Sequence, residues 1–579
     1  MLTLPLAQAS SSWLTIWLTP IWFLAVGVAM GLIALAVLVL LFRVLAAIPA
    51  WEKLSSSPVG HGVAAAITAA LAGVTWFFLS DEAKGSAELN EPLLLGIALV
   101  LVCSIVGWAI VFCSSSRMAK ASVSTLTEGA AGYLGLSVLT IVIIGAVIWG
   151  ISAVSPSPIV INPAKTFASL PQVFSAGKAE ITKPIPGNSD AFVPVELDIN
   201  FDLLSSIAVQ TDKAVVLGDA DDAADFIRTP IKLGATESVS WNRTQRIEEL
   251  PIPYEEGQVL HIQNKEIDEA TVTITANTIP PVPEAASLLI TALVVVLVGL
   301  SILLQQGVAP RVSAVAHATV KNELAQPLFL VLMLLGIVAI LLYEFLSFNT
   351  FGEDIKLLKD CGITTIMLLA AFQGIWSASS SISEEIEGKT ALTILSKPIQ
   401  RRSFVLGKFM GIFWVLLLMF VILGAVELFA VSYKPIYDAK ENSEQLPVWQ
   451  LCHMEMMSTV PGLAMAFMQS VVLTAISVAL ATRLPQLANL SICFAIYVIG
   501  NLTTSLVSST QDGFEIVKFV ASLVATIIPI LEHFSLQAAI DSGNAITMSL
   551  LSGNLIYCLL YVLLAMFLAL LLFEDRDLA

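Results

Sequence analysis

Charged residues are scarce in this chain of 579 residues, at 13%, while hydrophobic residues make up 57%. Soluble domains carry about 25% charged residues. So few charges cannot cover the surface of one large soluble core, and most of the surface is therefore expected to face lipid. Basic residues are in the minority, and the net charge is −17. We expect no nucleic-acid partner, because binding to phosphates requires positive charge.

Cysteine is missing where a disulfide-stabilised domain would need it. All six cysteines lie outside the most polar stretch, residues 155–284, which excludes a disulfide framework there. Basic residues are missing from residues 1–13 as well, whereas a cleaved signal peptide begins with a positively charged region. We therefore expect the first apolar segment to remain in the membrane.

The motifs of common enzymes and nucleotide-binding proteins are missing too. The sequence contains no HExxH or GxSxG pattern. Gly388-Lys389-Thr390 is similar to the end of a Walker A loop, but that motif also needs a glycine at position 383, where the chain has Ser383. We therefore expect no catalytic residue and no ATP or Mg²⁺ bound by this chain.

Long apolar segments dominate what is present. A helix needs about 20 apolar residues to cross the hydrocarbon core of a bilayer, and about eleven segments meet that length. They are residues 21–42, 60–80, 93–113, 133–154, 285–306, 328–348, 363–383, 410–432, 459–482, 487–507 and 553–573. Residues 516–531 are shorter and contain Lys518 and Pro529, so we expect a re-entrant or interfacial helix there. The sequence predicts an all-α polytopic membrane protein.

The distribution of Lys and Arg orients these segments. With the C-terminus in the cytoplasm and residues 155–284 left out of the count, the cytoplasmic loops hold about twice as many Lys and Arg as the external loops, as the positive-inside rule requires. We therefore predict a multi-pass protein of the cytoplasmic (inner) membrane. Its N-terminus and residues 155–284 are then outside, and its C-terminus is cytoplasmic.

Residues 155–284 have the pattern of β-strands. Apolar side chains recur at every second position in the run Val193, Val195, Leu197, Ile199 and Phe201, which is the strand period. Turn residues such as Pro186-Gly187-Asn188 separate the runs. We predict one inserted extracytoplasmic β domain. His261 is its only histidine, so we expect no catalytic or metal centre there.

The loop between the predicted seventh and eighth spans is the most informative part of the chain. Ser381 and Glu384 have the spacing of a capping box, and Pro398 ends a helix at or before Lys397. We predict a short amphipathic helix over residues 384–397. On physical grounds alone it has two interpretations: an interfacial helix on lipid headgroups, or a coupling helix that docks on a partner.

The residues of this loop resemble the signature of ATP-binding-cassette (ABC) permeases of the ABC-2 type. The matching positions are Glu384, Glu385, Glu387, Gly388, Thr390, Leu395, Ser396, Pro398, Arg401, Leu406, Gly407 and Lys408. The similarity covers about residues 310–579. Within the superfamily it is most similar to permeases associated with multicopper-enzyme maturation and gliding motility. The first half of the chain resembles no family.

This resemblance implies a function and a set of partners. The chain would be the permease subunit of an exporter, coupled to a dimer of separate ATPase subunits that use ATP and Mg²⁺. A second permease copy or a paralogue, together with membrane lipid, would complete the complex. The residues implied in ATPase coupling are Glu384, Glu385, Glu387, Gly388, Thr390, Leu395, Pro398, Arg401, Arg402 and Lys408. The last three would contact lipid headgroups or the partner.

The predicted domains follow from these assignments. Residues 1–154 form a four-span membrane region, residues 155–284 the β domain, residues 285–308 a fifth span, and residues 309–579 the permease domain with six spans. An alternative function is a non-transporting membrane scaffold or sensor, whose β domain binds a protein partner.

Two further groups of residues have open interpretations. The cluster Cys452, His453, Met454, Met456 and Met457 combines soft ligands that favour Cu(I), although methionines also fill irregular packing. Glu344 and Glu427 lie toward the outer ends of their spans, where we expect them to reach water. The remaining polar residues within spans are expected to form hydrogen bonds between helices. They are Gln373, Gln469, Asn489 and Asn501.

Overall fold

The structure is a computed structural model, and it describes the greater part of the chain. The described residues are 13–55, 57–78, 90–154, 163–187, 192–195, 197, 199–221, 226, 228–242, 259–346, 354–384, 400–509, 515–535 and 548–574. They belong to two compact units. One unit comprises residues 156–287, and the other comprises residues 13–155 and 288–579.

The larger unit is helical, as its apolar segments predict, because only a helix pairs every backbone polar group within one segment in lipid. Its first helices are α1 (Trp13–Ala46), α2 (Pro49–Ser55), α3 (Val59–Phe78), α4 (Asn90–Phe112), α5 (Ser116–Thr127) and α6 (Gly129–Val154). After the smaller unit, which begins with α7 (Pro163–Ser175), the chain continues in α8 (Ala286–Val308), α9 (Pro310–Leu324), α10 (Pro327–Phe345) and α11 (Asp354–Ala378).

Five more helices complete the larger unit. They are α12 (Arg401–Glu441), α13 (Trp449–Ala481), α14 (Gln486–Ser509), α15 (Glu515–Ile527) and α16 (Met548–Glu574). Helix α12 lies at the centre, against α9, α11 and α13. Its side chains Val415, Leu416 and Met419 are buried in the largest apolar core.

Ten helices in the described residues are long and apolar enough to cross a membrane. This confirms the prediction of a multi-pass membrane protein, with one difference. Helix α11, at the predicted seventh span, is not among the ten. Residues 516–531 give the 13-residue helix α15 and a 3₁₀ turn, Leu531–Phe534. That helix is shorter than the about 20 residues of a span, and its re-entrant position stays a prediction.

The smaller unit confirms the predicted β domain. Its strands are β1 (Lys178–Ile185), β2 (Val193–Val195), β3 (Leu204–Thr211), β4 (Val215–Gly218), β5 (Ile231–Leu233), β6 (Ser238–Asn242), β7 (Leu260–Gln263) and β8 (Ala270–Thr278). They form two antiparallel four-stranded sheets, in the orders β1-β8-β3-β6 and β2-β7-β4-β5. Ile207 and Ile274 of one sheet share a core with Leu217 and Ile262 of the other.

The strand predicted over residues 193–201 is shorter in the structure. Val193–Val195 pairs with β7, and the other described residues of this run, at positions 197 and 199–201, belong to no strand. Asn200 caps a 3₁₀ turn, Phe201–Leu203, because its side-chain oxygen accepts a hydrogen bond from the Asp202 amide. A capped turn removes these residues from the strand, although the apolar side chains still pack against the shared core.

Candidate functional site

Helix α11 passes directly into a π-helical turn, Ser379–Glu384. Such turns are rare and occur frequently at functional sites. Serines occupy positions 379 to 381, and Ser379 donates its hydroxyl back to the Ile375 carbonyl at 2.8 Å. The turn ends at Glu384, where the predicted coupling segment begins. It therefore joins that segment to α11 and, through α11, to the helical bundle.

A buried amide of α14 holds this turn. Asn489 is fully buried, and its Nδ2 donates to the Ser379 hydroxyl at 2.7 Å. The same nitrogen lies 3.1 Å from the Ser477 carbonyl and 3.0 Å from the Ser477 hydroxyl of α13. The Cys493 thiol donates to the side-chain oxygen of Asn489, Oδ1, at 3.3 Å. One side chain therefore joins the turn, α13 and α14.

A buried carboxylate of α9 takes part in a second group of hydrogen bonds, two residues before the π-helical turn. Glu323 is fully buried and accepts a hydrogen bond from the Ser377 hydroxyl at 2.5 Å. The Gln373 side-chain amide donates to the same hydroxyl at 2.9 Å. We call Glu323, Gln373, Ser377, Ser379, Ser477 and Asn489 the α11 polar cluster. It connects four helices around the start of the predicted coupling segment, in a low-dielectric setting where such bonds are strong.

Most of the residues implied in ATPase coupling lie outside the described residues. Glu385, Glu387, Gly388, Thr390, Leu395 and Pro398 belong to residues 385–399, and the predicted helix over residues 384–397 lies there too. Glu384 is the last residue of the π-helical turn. The roles of these residues therefore stay predictions.

The basic residues that follow the loop begin helix α12. Arg401 and Arg402 are exposed, and Arg401 Nη1 donates to the Glu574 carbonyl of α16 at 2.9 Å. Lys408 is buried, at 5% exposure, and its ammonium lies 5.6 Å from the centre of the Phe404 ring. That position does not suit the headgroup contact expected of Lys408, because this face of α12 packs inside the bundle.

Gly407, one of the signature positions, lies where α12 approaches α9 too closely for a side chain. A Cβ at this position would collide with the Val315 side chain and lie 3.0 Å from the Val312 carbonyl oxygen, both on α9. Helices approach this closely only where one of them lacks a side chain. Gly407 therefore holds α9 tightly against α12, next to the residues that follow the loop.

The soft-ligand cluster is spread around the first turns of α13. Cys452 packs with Ile16 and Ile436, and the His453 ring lies 5.6 Å from that of Phe23. Met454 points away from this packing, at 58% exposure. The buried packing of Cys452 and His453 agrees with the packing interpretation, and Cu(I) binding by the cluster stays a hypothesis.

The burial of Glu344 and Glu427 contradicts the prediction made for them. They were expected to reach water, but they are 4% and 0% exposed. The prediction is wrong because α10, α11 and α12 pack around both side chains, which sequence position along a helix does not reveal. Sequence reasoning also missed a neighbouring ion pair, in which Lys359 Nζ lies 2.5 Å from Glu455 Oε2 and 2.8 Å from the Ser458 hydroxyl.

Comparison with known proteins identifies the region that contains this network except for Glu323. The family model described as ABC-2 family transporter protein matches residues 347–578. These residues include α11, the π-helical turn and every helix from α12 to α16. No curated protein and no solved structure matches the chain. The C-terminal region of this multi-pass membrane protein, residues 347–578, is therefore an ABC-2 family transporter domain.

Proposed function

We propose that the chain is the permease subunit of an ABC-2 type exporter, and that a separate ATPase subunit drives it. The transporter domain supports a membrane permease of an ABC transporter. The separate ATPase, the export direction and the assembly are our proposal. In it, two ATPase subunits bind ATP and Mg²⁺, a second permease copy or paralogue completes the path, and the C-terminus lies in the cytoplasm.

One structural observation carries this proposal. The predicted coupling segment begins at the π-helical turn Ser379–Glu384, and Asn489 ties that turn to two other helices. A flexible surface loop would not transmit a displacement of the partner to the helical bundle. A turn fixed by buried hydrogen bonds instead passes the displacement to the bundle, because buried polar networks rigidify their surroundings.

The mechanism follows from these contacts. When the ATPase subunits close on ATP, they displace residues 384–397, which they hold. The displacement reaches Ser379 and, through Asn489, helices α13 and α14. It reaches α9 through Ser377 and Glu323, and α9 is packed against α12 at Gly407. The helices then move together, and a path opens between the two permease units.

The charges of the loop indicate how the ATPase is held. Glu384, Glu385 and Glu387 are acidic and close together in sequence, and we propose that they pair with basic residues of the ATPase. Arg401 and Arg402 are exposed at the start of α12 and suit further contacts to the partner or to lipid phosphates.

Charge reversal tests this docking. The Glu385→Arg/Glu387→Arg variant is expected to lose the ATPase during affinity purification in mild detergent and to lose transport, because like charges then face each other. The control is Glu128→Arg, which reverses an exposed acid between α5 and α6, outside residues 347–578, and is expected to retain the ATPase. Retention of both ATPase and transport in the first variant would show that the docking assignment is wrong.

Purification of the wild-type chain with no ATPase at all would favour the scaffold or sensor alternative.

A further inference from the structure

Two acidic side chains lie buried between helices, and neither forms a salt bridge with a described residue. Glu344 of α10 is 4% exposed and Glu427 of α12 is 0% exposed. None of their four carboxyl oxygens has a hydrogen-bond partner among the described residues. Buried polar groups are nearly always paired in folded proteins. Two unpaired carboxyls in one place therefore indicate a missing ligand.

The neighbouring charges are already paired with one another. Lys359 of α11 contacts Glu455 of α13 at 2.5 Å, and Lys434 contacts Asp438 at 2.9 Å, both on α12. Each cation therefore has its own acid, and Glu344 and Glu427 remain as two acids in excess. Two further titratable groups lie near the pair, Cys361 of α11 and Tyr433 of α12.

Helix α11 is shaped to receive the Glu427 carboxyl. Gly362 faces it, and a Cβ at position 362 would collide with the carboxyl carbon and both oxygens. Glycine at this point therefore leaves the space that the carboxyl group occupies. Helices α10, α11 and α12 all pack against one another here, so the two acids are enclosed by three elements rather than placed on a surface.

The physical chemistry of such a pair limits its charge. An ionised carboxylate without a partner costs many kcal/mol in an apolar medium, so it takes up a proton instead. Two carboxyls close to each other disfavour double ionisation further. At least one proton is therefore expected on the pair.

We propose that Glu344 and Glu427 form a proton-binding site inside the helical bundle, where the two carboxyl groups hold at least one proton between them at neutral pH. A proton fits better than a metal ion, because in the described part of the chain no three His, Cys, Asp or Glu side chains come together. The acids lie on two different helices, α10 and α12. A movement that separates these helices would expose the acids to water and release the proton.

Infrared spectroscopy tests the site directly, because a protonated carboxyl has a carbonyl stretching band that a carboxylate lacks. The full chain is purified in lipid nanodiscs in heavy water at neutral pH. We expect the band in the wild-type chain and its loss in Glu344→Gln/Glu427→Gln. The control Glu441→Gln/Glu444→Gln removes two exposed acids at the end of α12 and should retain the band. Absence of the band from the wild-type chain, or equal bands in all three proteins, would overturn the proposal.

Two additions keep the test decisive. If the double variant does not fold, the single variants Glu344→Gln and Glu427→Gln replace it, and each should shift or weaken the band. The wild-type band is also measured at fixed pH while sodium or calcium chloride is added. A band that does not change supports a proton as the occupant. A band that falls as the cation is added shows that a metal cation occupies the site, and the proposal is then wrong.

Discussion

Asn489 donates to Ser379 across 2.7 Å, from the first turn of one helix to the π-helical end of another. Asn489 is fully buried, and its amide nitrogen also contacts Ser477. The residue that fixes the start of the predicted coupling segment is therefore about 100 positions away from it in sequence, and it lies inside the bundle. This separation makes Asn489 a test of how the segment is anchored.

The variant Asn489→Leu is expected to lower the thermal unfolding temperature in detergent, because it removes the donor to Ser379 and to Ser477 from a buried site. Loss of a buried hydrogen-bond partner costs roughly 1–3 kcal/mol. Transport driven by the ATPase should fall more than ATPase binding, since the docking surface is unchanged. The control Ser491→Ala lies on the exposed face of the same helix and should behave as the wild-type chain does.

The close approach of α9 and α12 gives a second prediction. The variant Gly407→Ala places a methyl group against the Val315 side chain, and overpacking of this kind costs roughly 1–3 kcal/mol. We expect a lower unfolding temperature and reduced transport. The matched control is Gly135→Ala on α6, where a Cβ would meet no atom within 4 Å. Equal unfolding temperatures for the two variants would show that Gly407 is not a contact point.

The ion pair of Lys359 and Glu455 gives a third prediction. Lys359 is buried, with its side chain 9% exposed, and pairs of this kind are costly to break singly. A double-mutant cycle with Lys359→Met and Glu455→Gln should give a coupling energy above about 1 kcal/mol, the upper limit for exposed pairs.

An exposed pair in the same chain provides the comparison for that cycle. Lys213 and Asp268 of the β unit lie 3.3 Å apart, and the Asp268 side chain is 82% exposed. A cycle with Lys213→Met and Asp268→Asn should give about 0–1 kcal/mol, because solvent screens the pair. Coupling energies of the same size for the two pairs would contradict the role of burial.

The β unit gives a fourth prediction. Residues 156–287 expressed alone should fold, because the two sheets share one apolar core. Far-ultraviolet circular dichroism should show β structure and one cooperative thermal transition. Ile274→Ala removes a fully buried side chain and should cost about 2–5 kcal/mol. Ile267→Ala alters a side chain that is 90% exposed and should change stability by less than about 0.5 kcal/mol.

Much of the architecture was predictable, because segment length and hydropathy respond to one dominant constraint, the thickness of the bilayer. The β domain was also predictable from alternation, although the turn capped by Asn200 shortened its second strand. The hydrogen bonds of Asn489 to other helices confirm the expectation for that residue. Gln373 instead donates to Ser377, one turn along its own helix.

The candidate site was predictable only in part. The similarity to ABC-2 permeases marked the loop, and the family comparison confirms that assignment for residues 347–578. The partners of Ser377 at the end of α11 and of Ser379 in the π-helical turn were not predictable, because tertiary packing brings Glu323 and Asn489 to them from both directions along the chain. The burial of Glu344 and Glu427 was missed for the same reason, since neighbouring helices decide whether a side chain near a helix end reaches water.

Helix α12 is longer than a membrane requires. Its 41 residues extend over about 60 Å at 1.5 Å per residue, roughly twice the thickness of the hydrocarbon core. A large part of this rod must therefore project beyond the lipid. If it pivots near its middle, a tilt of about 5° shifts each end by about 2.5 Å, given that rise per residue. A small tilt of α12 within the bilayer would then displace both of its ends measurably in water. Spin labels or fluorophores at the exposed positions Arg402 and Glu441 can record these displacements.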